Sequence, residues 1–309
     1  MEKIYGRIVK GLGGLYEIKT DSGKIECRAK GVFRHEKTAP TVGDLVTVGY
    51  DELQNPVIAE IHERKNILIR PPLANMDTLF CVIPTKDPEP DLFTLDKLIA
   101  IAESLSIEPV IVITKIDLDR DKANELSEIY SKNFRVFQTT LADKESVSSL
   151  RTFLESDAAS GLSAFAGASG AGKSTLMNLL FPTLSISTNT VSRKTARGRH
   201  TTRHVELFPL SELLSCQASG YIADTPGFSM LDFERFDFFD KEDLPLNFRE
   251  FTDKIGNCRY TRCTHLCEDG CAIYDAVKSG EIPTSRHNSY VALYNILKNK
   301  KPWDKKRLK

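Results

Sequence analysis

The segment Gly167-Ala168-Ser169-Gly170-Ala171-Gly172-Lys173-Ser174 fits the pattern GxxxxGK[ST]. This is a glycine-rich turn whose backbone N–H groups can face phosphate oxygens while the lysine reaches the outer phosphates. Glycines at 167, 170 and 172 let the loop close on an anion without Cβ clashes. A helix starting near Lys173 adds unpaired N–H groups and the positive end of its dipole. Lys173 then neutralises developing charge, and the Ser174 hydroxyl is a ligand for Mg2+. Asp224, in Asp224-Thr225-Pro226-Gly227, is placed to assist that ion through water, and the Gly227 N–H to approach the outermost phosphate.

A second pattern, [NT]KxD, is met by Thr114-Lys115-Ile116-Asp117. The Asp117 carboxylate can accept two hydrogen bonds from the N1–H and exocyclic amine of guanine, a charge-assisted pairing that adenine does not offer. Thr139-Thr140 is the pair expected on the guanine O6 side, with Thr139 as the contact. Between Ser174 and Asp224, either Thr201 or Thr202 can complete the Mg2+ shell in the triphosphate state and leave it after hydrolysis. Phe228 follows Gly227 where a glutamine often holds the attacking water. Intrinsic turnover is therefore expected to be slow, with His200 or a partner supplying the missing polar group. The expected chemistry is Mg2+-dependent hydrolysis of GTP to GDP and phosphate, with Lys173, His200, Thr201, Thr202 and Asp224 as its catalytic groups.

Cys258-x4-Cys263-x-His265-x5-Cys271 gathers three thiols and one imidazole within fourteen residues, which suits a closed tetrahedral structural zinc site. Cys267 competes for any one of those places. With seven cysteines, an odd number, and four of them between 258 and 271, the chain reads as reduced thiols around one metal rather than a disulfide framework.

The elements that must position these groups follow from periodicity. Residues 1 to 68 read as five short alternating strands broken by glycines, as in a small OB-fold barrel. Such barrels bind single strands or oligosaccharides on one face, with Tyr5, Tyr16 and Phe33 as the available stacking rings; a plain spacer barrel is the competing reading. After a stiff break at Pro71-Pro72, strands and helices alternate from 71 to 232, implying a largely parallel sheet with helices on both faces. The run Pro109–Thr114 is an apolar buried strand that delivers Lys115 and Asp117 to its carboxyl end, where ligands of open α/β sheets bind. From 233 to 309 the alternation fails, and so short a block is helped by a metal staple.

Composition is that of an ordinary soluble protein, 41% hydrophobic and 27% charged, with formal net charge zero. Any case for nucleic acid must therefore rest on local basic patches, namely Arg193–Arg203 and Arg286–Lys309. No apolar run approaches the ~18 residues of a spanning helix. The start lacks a secretory stretch, so no membrane and a cytoplasmic location are expected.

TKxD precedes GxxxxGKS by about fifty residues, the reverse of the order in an ordinary GTPase. The ordered set TKxD, GxxxxGKS, His200-Thr201-Thr202, Asp224-Thr225-Pro226-Gly227-Phe228 and the Cys/His cluster resembles the ribosome small-subunit-dependent GTPase A family of circularly permuted GTPases, across the whole chain. The resemblance implies an N-terminal five-stranded OB-fold barrel, a circularly permuted P-loop GTPase domain and a C-terminal zinc-binding helical domain. It implies guanine contacts from Lys115 and Asp117, phosphate contacts from Gly167 through Thr175, and zinc on Cys258, Cys263, His265 and Cys271 with Cys267 a bystander. It further implies action late in maturation of the 30S ribosomal subunit, with 16S rRNA in contact and hydrolysis stimulated by that particle. A monomer is the expected state. Two other readings compete: a GTP-regulated RNA-binding module with incidental hydrolysis, and an ATP-using P-loop enzyme whose TKxD is coincidental.

Overall fold

Alternating apolar residues at the amino terminus form β1 (Ile4–Leu12), β2 (Leu15–Thr20), β3 (Gly23–Ala29), β4 (Leu45–Tyr50) and β5 (Pro56–Ile61). The order β1-β2-β3-β5-β4 closes because β4 also pairs antiparallel with β1, Gly6 opposite Val46. Closure removes free sheet edges. Ile8, Ile18, Val48 and Ile58 fill the interior and are fully buried. At Gly6 a Cβ would stand 2.6 Å from the Lys19 carbonyl oxygen, so only glycine lets β1 and β2 approach this closely. The wholly buried Asp44 is held by Arg64 through Nε at 2.6 Å and Nη2 at 2.7 Å.

The computed structural model describes residues 3–31, 33, 39–69, 71–142, 145–184, 205–214, 218–224 and 238–300. Pro71-Pro72 is not a mere break: Pro72 opens β7 (Pro72–Ala74), which pairs with β6 (Ile67–Ile69) in a small hairpin. Then come β8 (Thr78–Pro84), α1 (Leu92–Ser104), β9 (Glu108–Thr114), α2 (Arg120–Tyr130), β10 (Arg135–Gln138), α3 (Ser148–Glu155), β11 (Leu162–Gly167) and α4 (Lys173–Leu180). They are followed by β12 (Glu206–Pro209), α5 (Leu210–Leu214), β13 (Tyr221–Asp224), α6 (Ala272–Lys278) and α7 (Thr284–Asn299). Asp91 and Asp119 cap α1 and α2 by accepting the N–H of Thr94 and Lys122, which fixes where each helix starts.

The chain gathers into two units, each drawn from three separate stretches. The first comprises Met1–Leu79, Ser148–Phe165 and Ser174–Phe228. Here β13 runs parallel to β11 and antiparallel to β12, and Lys10 of β1 sits opposite Glu206 of β12. The sheet is thus mixed at this edge rather than all parallel.

The second comprises Phe80–Val147, Ala166–Lys173 and Ser229–Lys309. Strands run in the order β10-β9-β8, with β10 parallel to β9. The apolar run of β8 is buried along its whole length, as expected of a strand covered on both faces. The carboxyl-terminal block packs α7 and the 3-10 turns Leu244–Asn247 and Arg249–Phe251 around Phe248, Phe251 and Tyr290, whose ring centroids lie 5.0–5.4 Å apart. Buried Arg286 of α7 donates to Asp96 Oδ1 of α1 at 2.6 Å and to Glu250 Oε1 at 2.6 Å, while the Tyr130 hydroxyl donates to Asp96 Oδ1 at 2.8 Å. Burial raises the Asp96 carboxyl above its ordinary range against the pull of Arg286.

Candidate nucleotide-binding and metal sites

In the second unit, three glycines shape the loop after β11. Gly167 (φ 149°), Gly170 (φ 81°) and Gly172 (φ 91°) all adopt backbone that disfavours a side chain. A Cβ on Gly167 would lie 2.2 Å from the Val82 carbonyl oxygen, and one on Gly172 would lie 2.3 Å from Leu141 Cδ1. Lys173 folds back over this loop and donates to the Gly167 and Ala168 carbonyl oxygens, both at 2.8 Å. Burial lowers its ammonium to about 8. An anion in the loop would oppose that shift. Ser169 and Gly170 are exposed, Ala168 half-buried and Ala171 buried.

The TKxD segment sits in the same unit, at the carboxyl end of β9. Thr114 is fully buried and its hydroxyl donates to the Ala171 carbonyl oxygen at 2.7 Å, which ties TKxD directly to the glycine loop. Lys115 takes a left-handed backbone (φ 57°), its Nζ donates to the Asp87 carbonyl oxygen, and its own carbonyl accepts the Thr85 hydroxyl at 2.6 Å. Asp117 is exposed, and its Oδ1 accepts the Thr140 hydroxyl at 2.6 Å.

Thr140 was the less favoured of the threonine pair. Thr139 is fully buried beneath it, with its N–H on the Ile113 carbonyl oxygen at 2.8 Å. Ser146 fixes Thr140 in turn, donating to its carbonyl oxygen at 2.7 Å. The next residue, Leu141, is the one that meets Gly172, so this loop touches both sequence motifs.

In the first unit, Asp224 ends β13 beside the parallel β11 and faces Glu206 across the antiparallel β12 register. Burial first, and the Glu206 charge second, raise the Asp224 carboxyl above its usual range. A cation would relieve that cost, so the residue fits a metal-facing role. Ser174 and Thr175 lie half-buried in the first turn of α4. His200, Thr201, Thr202, Gly227, Phe228 and the Arg193–Arg203 basic run lie outside the described residues.

The cysteine cluster belongs to the second unit. Cys258, Cys263, His265 and Cys271 bring their ligand atoms within 4.8 Å of one another. Cys258 and Cys271 Sγ stand 3.9 Å apart, and His265 Nδ1 stands 3.5 Å and 3.6 Å from them. Bonds of about 2.3 Å to sulfur and 2.0 Å to nitrogen give tetrahedron edges of roughly 3.5–3.8 Å, so the set fits zinc. Burial pushes the Cys263 thiol up to about 12 and lowers the His265 imidazole, which leaves a neutral imidazole ready to ligate and thiols that a dication would convert to thiolates. Cys267 is exposed and outside the cluster.

What braces this loop has no signal in the residue pattern. Burial works against the Glu268 carboxylate, yet hydrogen bonds from the Thr264 hydroxyl, the Glu268 N–H itself and the N–H groups of Thr264 and Cys267 draw it down to about 2, and the Leu266 N–H also donates to it at 2.9 Å. From α7, His287 Nε2 meets the His265 carbonyl oxygen at 2.8 Å and the Tyr290 hydroxyl donates to the Thr264 carbonyl oxygen at 2.7 Å.

An α/β sheet whose TKxD strand comes before its phosphate-loop strand, preceded by a closed five-stranded barrel and followed by a Cys3His cluster, defines a circularly permuted P-loop GTPase. The RsgA GTPase family matches residues 61–234, and the RsgA N-terminal domain matches residues 5–58. A Small ribosomal subunit biogenesis GTPase RsgA from Caldanaerobacter subterraneus subsp. tengcongensis is 40% identical, with 100% of both chains covered. Another of the same name from a Geobacillus species is 38% identical, covering 96% of this chain and 98% of its own. The crystal structure of YjeQ from Thermotoga maritima superposes with a TM-score of 0.80 at 31% identity, over 97% of this chain and 100% of that one. YloQ, described as a circularly permuted GTPase, gives 0.77 at 32% identity over 97% of each. The chain belongs to the RsgA GTPase family, and is a GTP hydrolase. Among the described residues no helix is long and apolar enough to cross a membrane.

Proposed function

We propose that this GTPase acts as a timing switch in late maturation of the 30S ribosomal subunit, contacts 16S rRNA, and is stimulated by that particle. The relatives' name and coverage support this reading, and the knitting of Asp117, Thr140, Leu141 and Gly172 into one loop system carries its nucleotide chemistry. Asp117 selects guanine, and Thr114 and Lys115 shape its loop. Residues Gly167 to Thr175 cradle the phosphates, with Lys173 neutralising charge as the outer phosphate departs. When bound, Mg2+ supplies charge neutralisation at the phosphates. Ser174 and Asp224 would hold it, joined by Thr201 or Thr202, while the Gly227 N–H meets the outer phosphate. His200 is assigned to the attacking water, and unchanged stimulated turnover in His200→Ala would remove it from that role. Cys258, Cys263, His265 and Cys271 hold one structural zinc. The parts divide as a barrel over 1–68, the GTPase domain over 71–232 and the zinc block over 233–309, in a cytoplasmic monomer.

The test is GTP hydrolysis titrated with purified 30S subunits, paired with pelleting in the GTP-analogue and GDP states. Stimulated turnover and nucleotide-dependent pelleting are expected. Nucleotide-dependent pelleting without stimulation would instead favour an RNA-binding module whose hydrolysis is incidental, a reading that Phe228 after Gly227 keeps in play.

A further inference from the structure

On the first unit a cavity of about 540 Å3 opens where β1 starts and β2 ends, lined by Tyr5, Arg7, Lys19, Asp21, His62 and Tyr221 among others. Its size falls in the ~300–1,000 Å3 range of small-ligand pockets. Its lining takes only the carboxyl end of β2 and nothing from β3, so it is distinct from the middle of the β2–β3 face by which OB barrels usually take oligonucleotides. Of the three rings available for stacking, Phe33 is buried and Tyr16 packs against Gly11. Only Tyr5 of the three is exposed, at 60%, and its one ring neighbour among the described residues is His62, at 5.8 Å. His62 is fixed by Thr47, whose hydroxyl lies 2.9 Å from its Nε2.

Arg7 supplies the charge. Its guanidinium lies 5.4 Å from the Tyr221 ring centroid, and its only hydrogen bond among the described residues goes from Nη1 to the Gly43 carbonyl oxygen at 3.3 Å. A guanidinium has five donors. Arg7 makes no ion pair among the described residues, whereas neighbouring Lys19 is already paired with Glu212 at 3.1 Å. The pocket therefore presents a half-buried cation with unused donors beside an exposed aromatic face, a combination complementary to one phosphate and one base. Asp21 at the rim would repel a second phosphate, which favours a single unstacked nucleotide over a backbone tract.

We propose that this pocket is a binding site for one unstacked nucleotide of single-stranded RNA, its base on Tyr5 and its phosphate on Arg7. The proposal rests on the small-subunit reading above and names one point of RNA contact within it.

The test uses the full chain with a mixed-sequence 10-nucleotide RNA carrying 4-thiouridine, and a duplex of the same sequence. Tyr5→Ala is expected to weaken single-strand binding by about fivefold to a hundredfold, the span of one base–aromatic stack. Tyr5→Phe should restore it, Arg7→Gln should lower both affinity and salt dependence, and crosslinks should map to Tyr5 or His62. Unchanged affinity in Tyr5→Ala and Arg7→Gln, crosslinks confined to β3, or equal binding of duplex would each overturn the proposal. If the RNA fails to bind while 30S particles still stimulate hydrolysis, the pocket assignment falls and the function stands. Absence of both sinks the two together.

Discussion

Asp117 owes its direction to the Thr140 hydroxyl 2.6 Å away, so a single methyl-for-hydroxyl exchange tests how guanine is chosen. Thr140→Val should lower GTP affinity several-fold while leaving the weak affinity for ATP unchanged, and Thr140→Ser should recover most of the loss. Titrations of labelled GDP competed by each triphosphate read this out. Asp117→Asn removes charge-assisted bonds worth about 1.5–3 kcal/mol each, so GTP should bind at least about tenfold more weakly. Lys173 adds a pH dependence of known sign. With its ammonium at about 8 in the nucleotide-free protein, binding of anionic phosphates must take up a proton above that pH. GTP affinity should hold below pH 8 and then fall, approaching about tenfold per pH unit. Stability of the nucleotide-free chain moves the other way: between about 8 and 10.5 the unfolded state binds more protons at Lys173, so this residue's contribution rises with pH. TKxD and GxxxxGKS could be read from spacing alone because their chemistry is local. Thr140 could not, since its partner is fixed by how β9 and β10 pair.

At the scale of elements, α7 works on two structures at once. Its Arg286 reaches Asp96 of α1, while the following turn carries His287 and Tyr290 to the zinc loop. Arg286→Ala would strand two buried carboxylates, at a cost of about 3–5 kcal/mol in denaturant unfolding. Burial already raises the folded-state Asp96 carboxyl above its unfolded value, so the folded state binds the extra proton as pH falls. The deficit of Arg286→Ala should accordingly shrink on moving from pH 7.5 towards pH 5, and an unchanged deficit would show that Asp96 stays ionised. Zinc removal strikes the neighbouring contacts at the same end of the helix. Metal binding of this kind is worth about 10–16 kcal/mol in small zinc peptides. A chelator, or Cys258→Ser, should leave less than one zinc per chain and open the segment around 258–271 to protease, while GTP binding falls much less.

For the whole molecule the permutation has a mechanical consequence. Each unit is assembled from three stretches of chain, so neither is a continuous piece of sequence. A chain stopped at residue 237 would keep every nucleotide motif yet leave Asp96 without Arg286 and Glu250, and the buried face of α1 without α7. Such a chain should melt at lower temperature and lose GTP affinity despite its intact loops. Wild-type melting and affinity would mean that the carboxyl-terminal block is dispensable to the fold. The alternation of strands and helices did reveal the order of elements, including the five strands of the barrel. It missed the β6–β7 hairpin and the seven-residue helix α6, because segments this brief show no clear period, and it missed the antiparallel entry of β12, because strand direction leaves no mark on periodicity.

Sequence by itself determined the motifs: a glycine-spaced loop of the phosphate-binding pattern, a TKxD carboxylate, and a Cys3His set whose ligand atoms the fold brings within 4.8 Å of one another. These are short-range properties, written within stretches of a few residues. Tertiary structure decided which threonine steadies Asp117, that β1 closes on β4, and that Arg286 neutralises an aspartate 190 positions away. Such pairings depend on which surfaces are buried together, and burial is a property of the folded chain, not of any segment of it.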